Sequence, residues 1–382
     1  MRDVKLLDYL LGFLLVGIGL APLPQVGFPL DNLVVAALVG LGLLRNPQHR
    51  LGRYELLVPL GLVALFYLGV HSMFAVASPG AADWQTRLLR FMAISMLVLV
   101  VGTGRIDGRS LVYGVATTLL LNVPLFYAGI VPSPYGNYLT GLVGDKNVAG
   151  LAYAVIGLLV ILYVRSAPWR VTWGLVFATC LWLTGSRTSI TAFGAAIVWA
   201  LLAPRLPVIG RWVLGVVTVV IVDLLSEDYS QIGVFSDREG SDQLRARIDA
   251  ASELKLQDAG FWGKGLGEAF VDLQDRTWFF HNSYWTALVE GGWPWLVVVV
   301  GVTVLIIVRP FTKIATARQF FIQGVGVAIL ICAWRLGEVF MTTYWAIAMG
   351  VALQQLLSAQ ADRDEARPEH SLQGGRAGME PR

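Results

Sequence analysis

Residues 278–292 set groups that could move a proton beside groups that could hold a polar ligand: Trp278-Phe279-Phe280-His281-Asn282-Ser283-Tyr284-Trp285, then Glu290-Gly291-Gly292. An imidazole titrates near neutral pH, so His281 suits the task of taking a proton from a weakly acidic hydroxyl. Basic side chains recur upstream, each in a polar interruption. They are Lys146 in Gly144-Asp145-Lys146-Asn147, Arg187 in Ser186-Arg187-Thr188-Ser189, Arg245 and Arg247 in a mixed-charge stretch, and Lys264 in Gly263-Lys264-Gly265-Leu266-Gly267. Guanidinium forks match phosphate oxygens. The set therefore reads as an anion grip beside a titratable base. Plainer readings stand next to each residue. Asn282 can cap a helix, Trp285 can belong to an interfacial aromatic belt, Arg187 can snorkel and Glu290 can rest at headgroup level. The alternating glycines let a backbone pass close to a phosphate or to another segment. No Ser or Thr follows Lys264, so the run is not a P-loop.

The elements that must position these residues are apolar. Of 382 residues 56% are hydrophobic and 14% charged, with a mean hydropathy of +0.64. Soluble domains carry about 25% charged residues, so a soluble enzyme is excluded first and a polytopic membrane protein expected. A net charge of +3 gives no footprint for nucleic acid. Cys180 and Cys332 lie in apolar runs and offer neither a disulfide framework nor metal-ligand spacing.

Apolar runs separated by charges, Pro and Gly predict an all-α protein with about twelve transmembrane helices. They fall near 6–21, 29–44, 56–77, 88–102, 111–130, 148–164, 171–184, 189–203, 212–226, 285–308, 320–334 and 338–358. The first reads as a span that stays in place, since no cleavage-site pattern follows it. With the N-terminus inside, the inner segments hold 18 Lys and Arg and the short outer turns 5. The positive-inside rule then places both termini in the cytoplasm. The division is 1–225 with nine helices, 226–283 as one long outer loop, 284–358 with three helices, and 359–382 as a disordered cytoplasmic tail. There is no internal repeat and no matched pair of broken helices of the transporter kind.

Within the loop, Leu244, Ile248 and Ala251 repeat at helical spacing over 242–256, with Arg245 and Asp249 as an i,i+4 pair on another face. Gly291-Gly292 and Pro294 interrupt the next apolar run and predict a short interfacial helix near 282–290 before the span proper. Arg335 and Glu338 are expected to pair at the last outer turn. His71 reads as a core histidine, and Asp223 as a span-end residue with no assigned role. Polar groups thus gather at outer helix ends. An anion-binding cluster of this kind fits a lipid-linked pyrophosphate entering from the bilayer.

In their order, these motifs resemble the O-antigen ligase and O-antigen polymerase superfamily over roughly residues 140–300. The resemblance rests on Gly144-Asp145-Lys146-Asn147, on Ser186-Arg187-Thr188-Ser189, on Arg245 ahead of Gly263-x-Gly265-x-Gly267, and on His281-Asn282 followed by Glu290 and Gly292. The chain departs from that pattern at Gly260, where Pro is usual, near Asp249, where a large apolar residue is usual, and at Trp295, where a second Gly is common. The resemblance implies a GT-C-like membrane glycosyltransferase at the outer face of a bacterial cytoplasmic membrane. Such an enzyme moves a glycan from an undecaprenyl pyrophosphate carrier to a saccharide hydroxyl, on lipid A core in a ligase or on a second lipid-linked repeat in a polymerase. It implies inversion without a metal or cofactor, with membrane lipids as further partners and no nucleic acid. Arg187 and Arg245 would hold the pyrophosphate, with Arg247, Lys146 and Lys264 secondary. His281 would be the base, Glu290 would orient the site, and Trp285 and Asn282 would complete it. The rival from another class is a transporter or flippase of an anionic substrate.

Overall fold

The computed structural model describes residues 4–17, 30–228, 239–274, 276–310 and 316–365. These residues form thirteen α-helices and one hairpin. The first half holds α1 (Leu6–Gly17), α2 (Leu30–Leu44), α3 (Leu57–Phe74), α4 (Trp84–Gly102), α5 (Gly108–Tyr127) and α6 (Lys146–Tyr163). There follow α7 (Ala167–Thr184), α8 (Arg187–Leu202), α9 (Val208–Asp228) and α10 (Glu239–Gln257). The hairpin is β1 (Phe270–Leu273) with β2 (Arg276–Phe279). The chain then closes with α11 (Ser283–Thr303), α12 (Ala317–Arg335) and α13 (Thr343–Glu365).

The described part of each of the twelve apolar stretches falls mainly on one of these helices. Among the described residues six helical segments are long and apolar enough to cross a membrane: Gly52–Phe74, Trp84–Gly102, Gly108–Tyr127, Lys146–Tyr163, Arg187–Arg205 and Ser283–Val308. Shorter apolar helices cover Leu6–Val16, Asp31–Leu44 and Val208–Ile221. Carboxylates and an amide start several helices. Asp83 accepts from the backbone N–H of Thr86, Asp107 from Ser110, Asp145 from Asn147 and Val148, and Asn282 from Tyr284 and Trp285. Each cap satisfies donors that no intrahelical carbonyl can reach.

Apolar on every face, α6 is buried along nearly its whole length and forms the centre of the bundle. Around it small residues let helices approach closely. A Cβ on Gly114 would lie 2.1 Å from the carbonyl oxygen of Tyr9, which fixes α5 against α1. One on Gly324 would lie 2.7 Å from the carbonyl oxygen of Ala196, which fixes α12 against α8. Between helices that share an apolar solvent, such close packing is the main source of association.

The segment read as one long loop is more built than its sequence suggests. It contains the 19-residue α10 and an antiparallel pair with Phe270 opposite Phe279 and Leu273 opposite Arg276. The hairpin is an addition to the expected all-α architecture. At the other end, α13 continues through Glu365, seven residues into the stretch read as a disordered tail; 366–382 lie outside the described residues. Residues 18–21 of the first expected span and 229–238 of the loop also lie outside them.

Candidate functional site

A cavity of about 770 Å³ opens where the first turns of α4, α6, α8 and α11 meet α10, the hairpin and the turn between α12 and α13. Lys146, Arg187, Arg245, His281 and Glu290 all line it. So do Arg87, Arg90, Asp145 and Glu338. With imidazole neutral, five basic and three acidic side chains give the wall a formal charge of +2. Trp278, Phe279 and Phe280 supply an aromatic side.

Helix starts place two of the cations. Gly185 takes the left-handed conformation (φ 63°) that ends α7, and Arg187 is the first residue of α8. Only glycine adopts that conformation freely. The hydroxyls of Ser186 and Ser189 lie 2.9 Å apart, packed on Gly150 of α6. Lys146 opens α6 directly after the Asp145 cap, with its ammonium 5.5 Å from the Tyr135 ring centre and 5.8 Å from that of Tyr138. Tyr135 donates to Asp145 at 2.6 Å, and this hydrogen bond, with burial, pushes its phenol up to about 12. Below this turn, Asn122 accepts from the N–H of Leu142 at 2.7 Å and donates to the carbonyl of Thr140 at 3.2 Å. A buried amide with both ends engaged holds the approach to α6 in one geometry. Arg245 reaches across from α10 and donates to the carbonyl of Arg335 at 3.1 Å.

His281 precedes the Asn282 cap of α11. Its Nδ1 is 3.6 Å from Oδ1 of Asp249, a residue of α10. The approach is longer than a hydrogen bond, and it sets a carboxylate beside the imidazole. Glu290 is engaged elsewhere. It is 1% exposed, pairs with Nε of Arg87 at 2.6 Å and accepts from the N–H of Gly267 at 3.0 Å. Arg87 also bonds Glu338, whose carboxylate takes Nη2 of Arg90 on both oxygens, at 3.0 and 3.1 Å. Glu338 is thus shared by two α4 cations, where the sequence pairs it with Arg335. The turn that carries it is held by Ser283, whose hydroxyl donates to the carbonyl of Leu336 at 2.5 Å and accepts from Val339 at 3.0 Å.

The glycine run serves the scaffold. Gly263, Gly265 and Gly267 all have positive φ, and a Cβ on Gly263 would meet the N–H of Gly292 at 2.6 Å. The α11 helix breaks at Gly292 (φ 64°, ψ −166°), as Gly291-Gly292 and Pro294 predict. The loop covers the break. Lys264 N–H donates to Val289 (2.6 Å), Gly265 N–H to Glu290 (3.2 Å), and Trp293 N–H to Phe261 (2.9 Å). The side chain of Lys264 pairs with Asp258 at 2.5 Å, outside the cavity lining. Asn282 works as a cap, Trp285 packs with Ile248, Phe280 and Val289, and Arg247 is exposed; none of the three lines the cavity. His71 stacks on Tyr67, with ring centres 5.8 Å apart.

One further acid anchors the loop to the bundle. Glu268 is 2% exposed and accepts from the N–H of Ser78 (2.6 Å), from its hydroxyl (2.7 Å), and from Lys255 (3.1 Å). Burial pushes its carboxyl up, but these donors outweigh it and hold the group below the usual carboxylate range.

The sequence alone assigns no site role to Arg87 or Arg90, and it gives Glu338 and Asp249 only local pairing partners. Arg87 and Arg90 did carry a signal: two cations one turn apart at the head of an apolar run are costly unless paired. Among the described residues no three His, Cys, Asp or Glu side chains gather as a metal-ligand group. No protein-family model matches the chain, and no curated protein matches it.

Proposed function

We propose that the protein is a membrane glycosyltransferase that moves a glycan from a polyprenyl pyrophosphate to a saccharide hydroxyl. Support comes above all from the meeting of Lys146, Arg187, Arg245 and His281 on one cavity at one end of a bundle of apolar helices. In this reading twelve helices cross the membrane, both termini are cytoplasmic, and the cavity faces outward from the inner membrane in a GT-C-like arrangement. Arg187 and Arg245 hold the pyrophosphate and stabilise it as it leaves. Lys146 adds a third positive charge. His281 takes the acceptor proton through Nε2, and Asp249 steadies the imidazolium that forms. Glu290 acts through Arg87 and the loop backbone, not on the imidazole. The aromatic wall from Trp278 to Phe280 offers faces for sugar rings. A ligase acting on lipid A core is the first assignment and a polymerase of lipid-linked repeats the second.

The test uses purified protein in detergent with an undecaprenyl pyrophosphate-linked glycan and a saccharide acceptor. The parent should release undecaprenyl pyrophosphate only when acceptor is present. Arg187→Lys and Arg245→Lys should each lose at least about 100-fold, because an ammonium cannot replace a bidentate fork. Near-parent transfer by both Lys variants would overturn the pyrophosphate grip. Movement of an anionic substrate in sealed vesicles, with no transfer in detergent, would establish the transporter instead.

A further inference from the structure

A second cavity, of about 630 Å³, runs between α8, α9, α11 and α12. Its walls are almost wholly apolar, with Trp199, Val216, Val220, Val304, Val327 and Trp334 among them. The polar side chains in the wall are nearly all satisfied internally. Trp199 Nε1 donates to Gln323 at 3.1 Å, Thr218 to the carbonyl of Leu214 at 2.7 Å, and Tyr284 to the carbonyl of Leu330 at 3.0 Å. Arg211 is the exception. It lines the groove, its Nε and Nη1 are buried, and neither has a hydrogen-bond partner among the described residues. Its guanidinium otherwise meets the Phe320 ring, 5.7 Å from the ring centre.

Position sharpens the contrast. Arg187 begins α8 at the catalytic cavity, and 16 residues of helix, about 24 Å, separate it from the turn that leads to Arg211. Arg211 therefore stands at the opposite end of the bundle. The groove faces outward along α9, where Val216 and Val219 are exposed. A guanidinium with two buried, unsatisfied donors at one end of an apolar trough asks for an amphiphile whose head is an anion and whose body is hydrocarbon. Burying those donors without an acceptor is costly, and a phosphate oxygen is the acceptor a guanidinium fits best.

We propose that this groove is a binding site for an anionic phospholipid, with the headgroup phosphate on Arg211 and one acyl chain along α9 and α11. It is separate from the catalytic cavity and does not depend on the glycan-transfer reading. Native mass spectrometry of the full chain in detergent tests it, with phosphatidylglycerol and phosphatidylcholine of identical acyl chains as probes. The parent should retain one phosphatidylglycerol at least about fivefold more strongly than phosphatidylcholine. Arg211→Gln should abolish that preference, Arg211→Lys should keep part of it, and Val216→Trp should displace both lipids by filling the trough. Equal retention of the two lipids by the parent, or an unaltered preference in Arg211→Gln, overturns the proposal. If Arg211→Gln does not fold, the parent ratio and Val216→Trp decide: a preference that survives the filled groove places the lipid elsewhere and equally overturns it.

Discussion

Removing both members of the Arg87–Glu290 pair should cost less than the sum of removing each alone. Glu290 is 1% exposed and lies 2.6 Å from Nε of Arg87, so the Glu290→Gln variant leaves a largely buried guanidinium short of one counter-charge. Breaking a buried pair costs about 3–5 kcal/mol. Two features of this site reduce that. Glu338 still bonds Arg87, and the amide oxygen of Gln can still accept from the N–H of Gly267. The expected loss is therefore about 2–3 kcal/mol, below the full range for an isolated pair. Arg87→Met leaves Glu290 as an uncompensated carboxylate and should lose about 3–5 kcal/mol. In the double variant neither charge is stranded, so the losses should fall short of their sum by about 2 kcal/mol. Both cysteines are buried, which supplies the readout: SDS titration in mixed micelles, followed by reaction of Cys180 and Cys332 with a thiol dye. Additive single and double losses would show that the two charges do not sense each other, and the ion-pair account of this wall would fall.

Gly292→Ala should destabilise by more than about 3 kcal/mol, because φ 64° with ψ −166° is a glycine-only conformation and a Cβ would meet the carbonyl oxygen of Phe261 at 2.1 Å; a full-length protein with parent unfolding behaviour would contradict this. Glu268 has a folded pKa below its unfolded value of about 4.3, so its contribution is present above that value and lost as pH falls through the lower folded one. Hydrogen exchange in the 270–279 hairpin should rise over that acid window in the parent, and Glu268→Gln should show raised exchange already at neutral pH. If the protein transfers a glycan as proposed, His281→Ala should slow transfer ~10²–10⁴-fold with donor binding intact, and Asp249→Asn should slow it less, by about 10-fold, because its proposed part is to steady the base, not to move the proton. Parent-rate transfer by His281→Gln, with an unchanged pH profile, would remove the imidazole from the chemistry.

The helices were legible because hydrocarbon solvent forces long apolar runs, and the described part of each of the twelve runs falls mainly on a helix. The break in α11 was legible from Gly291-Gly292 and Pro294 because backbone chemistry is local. Lys146, Arg187, Arg245, His281 and Glu290 do converge: Lys146, Arg187 and His281 stand at or beside helix starts that gather on one side, Glu290 lies just ahead of the α11 break, and α10 carries Arg245 across to them. Asn282 spends its side-chain oxygen on the cap of α11, and Lys264 lends its backbone N–H to a loop pressed onto that helix, so neither side chain faces the cavity. The partnership of Arg87 with Glu290 and Glu338 joins positions more than 200 residues apart, and no local pattern announces such a pair. The hairpin was missed for a related reason. Its two four-residue strands are short and mostly exposed on β2, too little alternation to stand out.

The break at Gly292 also has a consequence for biogenesis. A helix interrupted in mid-course exposes carbonyls and N–H groups that lipid cannot satisfy. Here Val289, Glu290 and Trp293 find their partners in Phe261, Lys264 and Gly265, all of which are synthesised earlier. When the ribosome delivers α11, the segment that will cover its break has therefore already emerged. Reversing that order, by a circular permutation that makes 261–267 the last part of the chain, would leave the interrupted helix to enter the bilayer with its polar groups bare. Such a permutant should insert poorly even though every contact of the finished protein could still form.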